Sequence, residues 1–259
     1  MEQVEQALRK AREQGQTTTR GFFRRAWGRG REPASFSYTQ TRTDHLVPEI
    51  LERNRVVAAQ FQHPLTDVYR TLRAQVLQAL HHDGKTTIGI TSANPDEGKT
   101  LTAVNLAIAT AMDENKTVLL VDADLREPGV AACLGIEPSY GLEDYLTGTA
   151  TITDCLVNPG IERLAILPAK TRMGNSAELL ASSNMLQLVW ELKTRYPNRL
   201  IIYDLPPVLT ISDTISFLPA IESTLLVVRD GATRTSELSR ALHLLANHNL
   251  IGTVLNAAQ

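Results

Sequence analysis

Downstream of Thr86 the chain alternates between short runs that are apolar throughout and longer stretches with helical spacing. The runs at 87–91, 117–121, 164–167, 200–203, 224–228 and 252–255 predict strands, and 99–113, 176–195 and 235–247 predict helices between them. Strands without a polar face, separated by helices, predict a parallel sheet covered on both sides. The fold class is therefore α/β. Upstream, Leu65, Val68, Tyr69, Leu72, Val76 and Leu80 recur at steps of three and four. They predict an amphipathic helix that begins near Pro64 and ends at Asp83-Gly84. Val4, Ala7, Leu8 and Ala11 predict a short helix over 1–14 with Gly15 as its stop. From Gly15 to about His45 no period emerges, which reads as a flexible linker. The expected organisation is an N-terminal helix and basic linker over 1–45, then one domain over 46–259.

Composition narrows the classes. The 259 residues are 43% hydrophobic and 21% charged, the balance of an ordinary globular protein with a substantial core. No apolar run approaches the roughly 18 residues of a membrane span, and Met1-Glu2-Gln3-Val4-Glu5 is too polar for a secretory leader. Cys133 and Cys155 are too few for a disulfide framework or a four-cysteine zinc site, so reduced thiols in a cytosolic protein are expected. The net charge of -2 hides a split: residues 1–60 carry 11 Lys/Arg against 7 Asp/Glu, whereas the remainder carries 15 against 21. Arg20, Arg24, Arg25, Arg29 and Arg31 interleave with Phe22, Phe23 and Trp27 in a basic arm on a mildly acidic body. Such an arm suits an anionic membrane leaflet or a partner's tail, and equally a solvated linker. The acidic body and the absence of a helix-turn-helix or RNA-binding signature argue against nucleic acid as a partner.

Directly after the first predicted strand stands Ala93-Asn94-Pro95-Asp96-Glu97-Gly98-Lys99-Thr100, followed by a helical stretch rich in Ala, Leu and Val. A loop of this kind between strand and helix aims backbone N–H groups and a helix dipole at phosphate oxygens. Lys99 would reach the β- and γ-phosphates, and Thr100 would ligate Mg²⁺. Ala93 occupies the place of the usual first glycine, so the motif is imperfect while its strand–loop–helix setting is present. Val121-Asp122-Ala123-Asp124 and Tyr203-Asp204-Leu205-Pro206-Pro207 put three carboxylates at the ends of two further strands, on the edge where the loop opens. Three carboxylates beside a triphosphate repel it unless a divalent cation intervenes, which implies Mg²⁺. Asp204 looks like the acid that holds the metal's water shell, and Asp122 or Asp124 is left to orient a nucleophile.

Taken together, these motifs resemble the bacterial tyrosine kinases of polysaccharide export, and more narrowly the exopolysaccharide-locus tyrosine autokinases. The likeness covers about residues 60–256, with Asp122, Asp124 and Arg126 matching the family's Asp-x-Asp-x-Arg loop. It implies a P-loop NTPase-like fold, ATP as phosphoryl donor with Mg²⁺, tyrosine hydroxyls as acceptors, and activation by the cytoplasmic tail of a transmembrane chain-length determinant. The chain would work in the cytoplasm, peripheral to the inner membrane through that partner. The catalytic set is then Lys99, Asp122, Asp124 and Asp204; Thr100, Asp124 and Asp204 hold the metal. The nucleotide is held by Asn94, Asp96, Glu97, Gly98, Lys99, Thr100 and Leu101, with Asn256 at the base or in a simple turn. Asp67, Arg70 and Arg73 match a Glu-x-x-Arg-x-x-Arg stretch that builds subunit rings, with Asp67 in place of glutamate; spacing alone suits a solvated helix face.

The partitioning and cell-division-site ATPases of the same P-loop class form the runner-up, as nucleotide-operated switches. Their signature lysine is absent, since Asn94 stands at its place. Two departures from the kinase pattern remain. Asp96 replaces a glycine, adding a carboxylate near the phosphates, and no tyrosine follows Tyr203, where the family carries a tyrosine-rich tail. Tyr69 and Tyr203 are expected to be structural, and Tyr38, between Ser37 and Thr39, is the most reachable acceptor.

Overall fold

The computed structural model describes residues 42–60, 63–195 and 198–257. The predicted helix over 1–14, nearly all of the linker that follows it, and Tyr38 lie outside these residues. Among the described residues the sheet has eight strands: β1 (Arg42–Thr43), β2 (Thr87–Ser92), β3 (Thr117–Asp122), β4 (Val157–Asn158), β5 (Leu164–Leu167), β6 (Arg199–Asp204), β7 (Thr224–Arg229) and β8 (Leu250–Asn256). They lie in the order β1-β4-β5-β3-β6-β2-β7-β8. All pairs are parallel except β4 with β5, which meet antiparallel at Val157 and Ile166. The six expected strands are all present, and β1 and β4 are two-residue additions too short to carry a period.

Alternate residues of each central strand feed two separate cores, which is why these runs lack a polar face. Val118, Leu120, Leu200 and Ile202 point to one side, and Leu119, Val121, Ile201 and Tyr203 to the other. The Lys99–Ala111 helix is buried on nearly every side, with the Thr66–His82 helix packed outside it. Asn105 within it is fully buried because its amide is used at both ends: Oδ1 accepts from Val57 and Ala58 N–H, and Nδ2 donates to the Arg55 and Leu101 carbonyls. That clamp fastens the Pro48–Arg53 helix and the turn after it, which no periodicity announced. No helix among the described residues is long and apolar enough to cross a membrane.

Two helical expectations change. The stretch 176–195 is two helices, Ser176–Leu180 and Ser183–Arg195, because the Ser182 hydroxyl donates to the Leu179 carbonyl and accepts from Met185 N–H, capping the second. The Thr66–His82 helix starts at Thr66 rather than Pro64, and its inward face runs through Thr66, Tyr69, Leu72, Val76 and Leu80. Leu65 and Val68 are 50% and 57% exposed, not part of that face. Thr66 takes the inward place because its hydroxyl is held by the Val57 and Gln60 carbonyls at 3.1 and 2.6 Å.

The charged residues on this helix do not share one face either. Residues advance about 100° each along a helix, so a step of three falls about 60° short of a full turn and successive members drift. Asp67 and Arg70 pair at 2.7 Å in solvent, while Arg73 has rotated inward and donates to the Ala109 carbonyl at 2.9 Å, in the last turn of the Lys99–Ala111 helix. Arg73→Ala should therefore cost about 1 kcal/mol, a melting shift of about 2–4 °C. Arg70→Ala, which removes only an exposed pair, should leave the thermal midpoint within about 1 °C. Differential scanning calorimetry of the two variants checks both.

Candidate active site

The sheet order places the loop after β2 beside the ends of β6 and β3. Ile90 lies in register with Asp204, and Asp204 with Asp122. Three strand ends thus deliver the loop and the carboxylates to one edge, where α/β folds bind ligands. The predicted residues do converge, and they take unequal parts.

Lys99 is the hub. Its ammonium lies 2.8 Å from Asp124 Oδ2 and 4.0 Å from Asp204 Oδ1, and donates to Thr100 Oγ1 at 3.1 Å. Burial works to lower its affinity for a proton, but the Asp204 and Asp124 charges outweigh that and raise it, so the lysine stays charged. Thr100 Oγ1 donates to Asp204 Oδ2 at 2.6 Å. Asp204 Oδ1 is buried without a hydrogen-bond partner. Burial pushes this carboxyl up to about 6, against the opposing pull of Lys99 and Thr100.

Asp122 is occupied differently. Its Oδ2 accepts from Gly129 and Val130 N–H at 3.0 Å each, and its Oδ1 from Asp124 N–H at 3.3 Å. It therefore shapes the loop after β3 and anchors the start of the Val130–Leu134 helix. Burial, with the nearby Asp204 charge, holds its carboxyl well above the ordinary range. Asp124 keeps Lys99 and the Glu127 N–H at 3.0 Å as its partners. Of the two, Asp124 is the one that lines a cavity.

The loop itself is braced from within. Glu97 is buried; its Oε2 accepts from Ala93 and Asn94 N–H, and its Oε1 from the Asn94 amide and the Thr233 hydroxyl. Asn256 Nδ2 donates to the Glu97 carbonyl at 2.9 Å, and Arg229 Nη1 to the Asp96 carbonyl at 3.3 Å. Gly98 has φ of 95°, and a Cβ there would stand 2.0 Å from Asn256 Nδ2, so only glycine fits. Asp96 takes φ of 59° with its side chain exposed, which keeps the turn intact.

A cavity of about 500 Å³ opens over this loop. Asp96, Gly98, Lys99, Thr100 and Leu101 line it; Asn94, Glu97 and Asn256 do not, and serve the loop's shape instead. Asn54, Glu127, Gly129, Ala132 and Cys133 join the lining from segments that carry no motif. Burial lifts the Cys133 thiol to about 12, so it is an inert wall. A second cavity of about 330 Å³ adjoins the first, sharing Pro95, Glu127 and Pro207, and reaches Asp124, Arg126 and Arg172. Arg126 was visible in its motif; its holder was not. Arg126 Nε donates at 3.3 Å to Asp213 Oδ2, which also accepts from the Ser176 hydroxyl. A lone Asp 87 positions downstream offered no signal in the sequence.

A metal fits one place. No group of three His, Cys, Asp or Glu side chains suited to a cation occurs among the described residues. The Thr100 hydroxyl and the orphaned Asp204 oxygen form instead a two-point site of the kind Mg²⁺ uses when phosphates and water supply the remaining ligands.

Residues 85–247 match the AAA domain family. The chain is 31% identical over 208 residues to the tyrosine-protein kinase YwqD of Bacillus subtilis, covering 80% of this chain and 86% of that protein. It is also 31% identical to the succinoglycan biosynthesis transport protein ExoP of Rhizobium meliloti, spanning 78% of this chain but only 26% of ExoP. Among solved structures, the kinase domain of Escherichia coli tyrosine kinase ETK superposes with a TM-score of 0.72 at 26% identity, covering 88% of this chain and 87% of that one. The septum site-determining protein MinD from Pyrococcus horikoshii, complexed with Mg-ADP, gives 0.54 at 24%, covering 65% and 69%, a likeness of fold alone.

Two outcomes follow from the site's electrostatics. Because Asp204 is raised above its unfolded value of 3.8, the ligand-free fold gains stability from this carboxyl as pH falls through about 6, and lacks that gain at neutral pH. The Mg²⁺-dependent part of ADP affinity should run the other way and fade below about pH 6; calorimetric titration from pH 5 to 8 reads it. Asp96→Gly removes both a left-handed non-glycine residue and a carboxylate at the cavity, so ADP should bind about two- to fivefold more tightly. Equal or weaker binding would reject that account of Asp96.

Proposed function

The chain belongs to the bacterial tyrosine-kinase family, and from that premise we propose that it transfers the γ-phosphoryl group of ATP to tyrosine hydroxyls in the control of exopolysaccharide synthesis or export. The observation that carries this reading is the pair of adjoining cavities with a Lys99–Asp124 ion pair between their linings. One lies over a phosphate-binding loop; the other reaches a carboxylate fit to receive a proton.

In this mechanism the loop amides and Lys99 hold the β- and γ-phosphates. Lys99 leaves Asp124 for the incoming anion, freeing that carboxylate. Thr100 and Asp204 would hold Mg²⁺, which when bound offsets the charge of the phosphates. The tyrosine oxygen attacks the γ-phosphorus, ADP departs, and the phenolic proton passes to an Asp124 oxygen. Asp122 contributes by fixing the loop that presents Asp124. Positioning and charge stabilisation supply most of the acceleration.

The wider setting rests on relatives. ExoP is named for succinoglycan biosynthesis transport. A membrane chain-length protein as partner, a cytoplasmic station at the inner face of the membrane and a ring of subunits are parts of this proposal. Asp67 and Arg70 stand exposed and available to a neighbour, whereas Arg73 is committed to Ala109. Tyr69 is half-buried against the core, where burial pushes its phenol up to about 12, and Tyr203 is fully buried edge-on to Phe217; both serve packing. Tyr38, or a tyrosine of the partner, is the proposed acceptor.

Incubation with Mg-[γ-³²P]ATP, with and without the partner's tail, should yield phosphotyrosine that Lys99→Ala abolishes. Asp124→Asn should lower the rate by about a hundredfold or more while ADP still binds. Nucleotide hydrolysis with no phosphotyrosine in either condition would favour the switch reading. Mass spectrometry that finds phosphate on other tyrosines alone would remove Tyr38.

A further inference from the structure

We propose that the second cavity is the seat of the acceptor segment and that Arg172, with Arg126, selects tyrosines flanked by Asp or Glu. This deepens the kinase reading and rests on it.

The cavity's lining divides by chemistry. Met173, Ile211 and Pro207 offer an apolar surface for a phenol ring, and Asp124 stands where its hydroxyl would be received. The two arginines line this cavity and not the nucleotide cavity. They come from different loops, after β3 and after β5, and those loops are tied by the Met173 N–H donating to the Leu125 carbonyl at 2.7 Å. Arg126 is not loose: Asp213, fully buried, takes its Nε and leaves the Nη groups for a ligand. Arg172 is exposed and makes no hydrogen bond or ion pair with any described residue.

The charges at the cavity favour an anion on this side. Asp124 is paired with Lys99 at 2.8 Å before nucleotide binds and faces the phenolic hydroxyl, not its neighbours, once Lys99 is released; Arg126 is offset in part by Asp213. Glu127 remains, but it lines the wall shared with the nucleotide cavity. Arg172 is therefore an uncompensated cation on the far side, with a planar fork suited to a carboxylate. A tyrosine entering beside Asp124 would carry its neighbours past that fork. A flanking carboxylate gains a partner there; a flanking lysine meets repulsion.

The test uses the full chain with Mg-ADP and three fluorescein-labelled peptides that differ only in having Glu, Gln or Lys on both sides of one tyrosine. Fluorescence anisotropy should show the Glu peptide binding about tenfold more tightly than the Gln peptide, with the advantage shrinking in high salt. Arg172→Glu should abolish or invert the order, and Arg172→Lys should keep part of it. Retained Mg-ADP affinity shows that each variant is folded. Equal binding of the three peptides by the unaltered chain, or an order unchanged in Arg172→Glu, overturns the proposal. Phosphotransfer to the same peptides is read separately, with and without the partner's tail: ordered binding with no phosphotyrosine in either condition leaves the peptide site standing and removes the kinase reading. In the kinetics, Arg172→Ala should raise KM for the Glu peptide about fivefold with kcat nearly unchanged, the split expected of a group that binds the substrate and takes no part in transfer.

Discussion

A single ammonium, that of Lys99, stands against three carboxylates buried at the ends of β3 and β6. Inside a protein such an excess of one sign is costly, and the structure contains it in three ways. Asp122 is surrendered to backbone amides, Asp124 is paired with the lysine, and Asp204 is left with one oxygen bare and its proton affinity raised. Each solution then fixes a role. The carboxylate held by amides becomes a loop anchor, the paired one can be released by an incoming anion, and the bare one is suited to a cation. The division of labour follows from how the same repulsion is met at three neighbouring positions.

What the sequence disclosed was adjacency. Strand ends, loop and helix start were readable because apolar runs and the Gly98-Lys99-Thr100 string are local signals. Which partner each polar group finally takes was not readable, because it depends on the geometry of contact. Glu97 looks like a phosphate-loop residue and is in fact the loop's internal brace, reaching Thr233 across 136 positions. Asp122 and Asp124 stand two positions apart, a spacing that reads as one face of a strand, but β3 ends at Asp122 and the turn after it carries Asp124 into different surroundings. Arg73 shows the same limit within a helix: a spacing of three reads as one face on paper, but the accumulated drift carries it to the Ala109 carbonyl. Asp213 and Ser176 were invisible because nothing local marks a residue whose only task is to hold an arginine from another loop.

The loop's departures from the usual pattern also become coherent. A P-loop works by presenting amides in a fixed arc, so its backbone must be rigid before the anion arrives. With Ala93 and Asp96 in place of glycines, rigidity comes from outside the arc. Glu97 gathers the amides at its start, Thr233 holds Glu97, Asn256 holds the carbonyl beside Gly98, and Arg229 holds that of Asp96. Three of those four holders lie in β7, β8 or the turn between β7 and the Thr235–Leu245 helix. The last two strands therefore do more than widen the sheet. They carry the frame against which the phosphate loop is set, and a disturbance at that edge reaches the nucleotide through the loop's shape without any contact of its own.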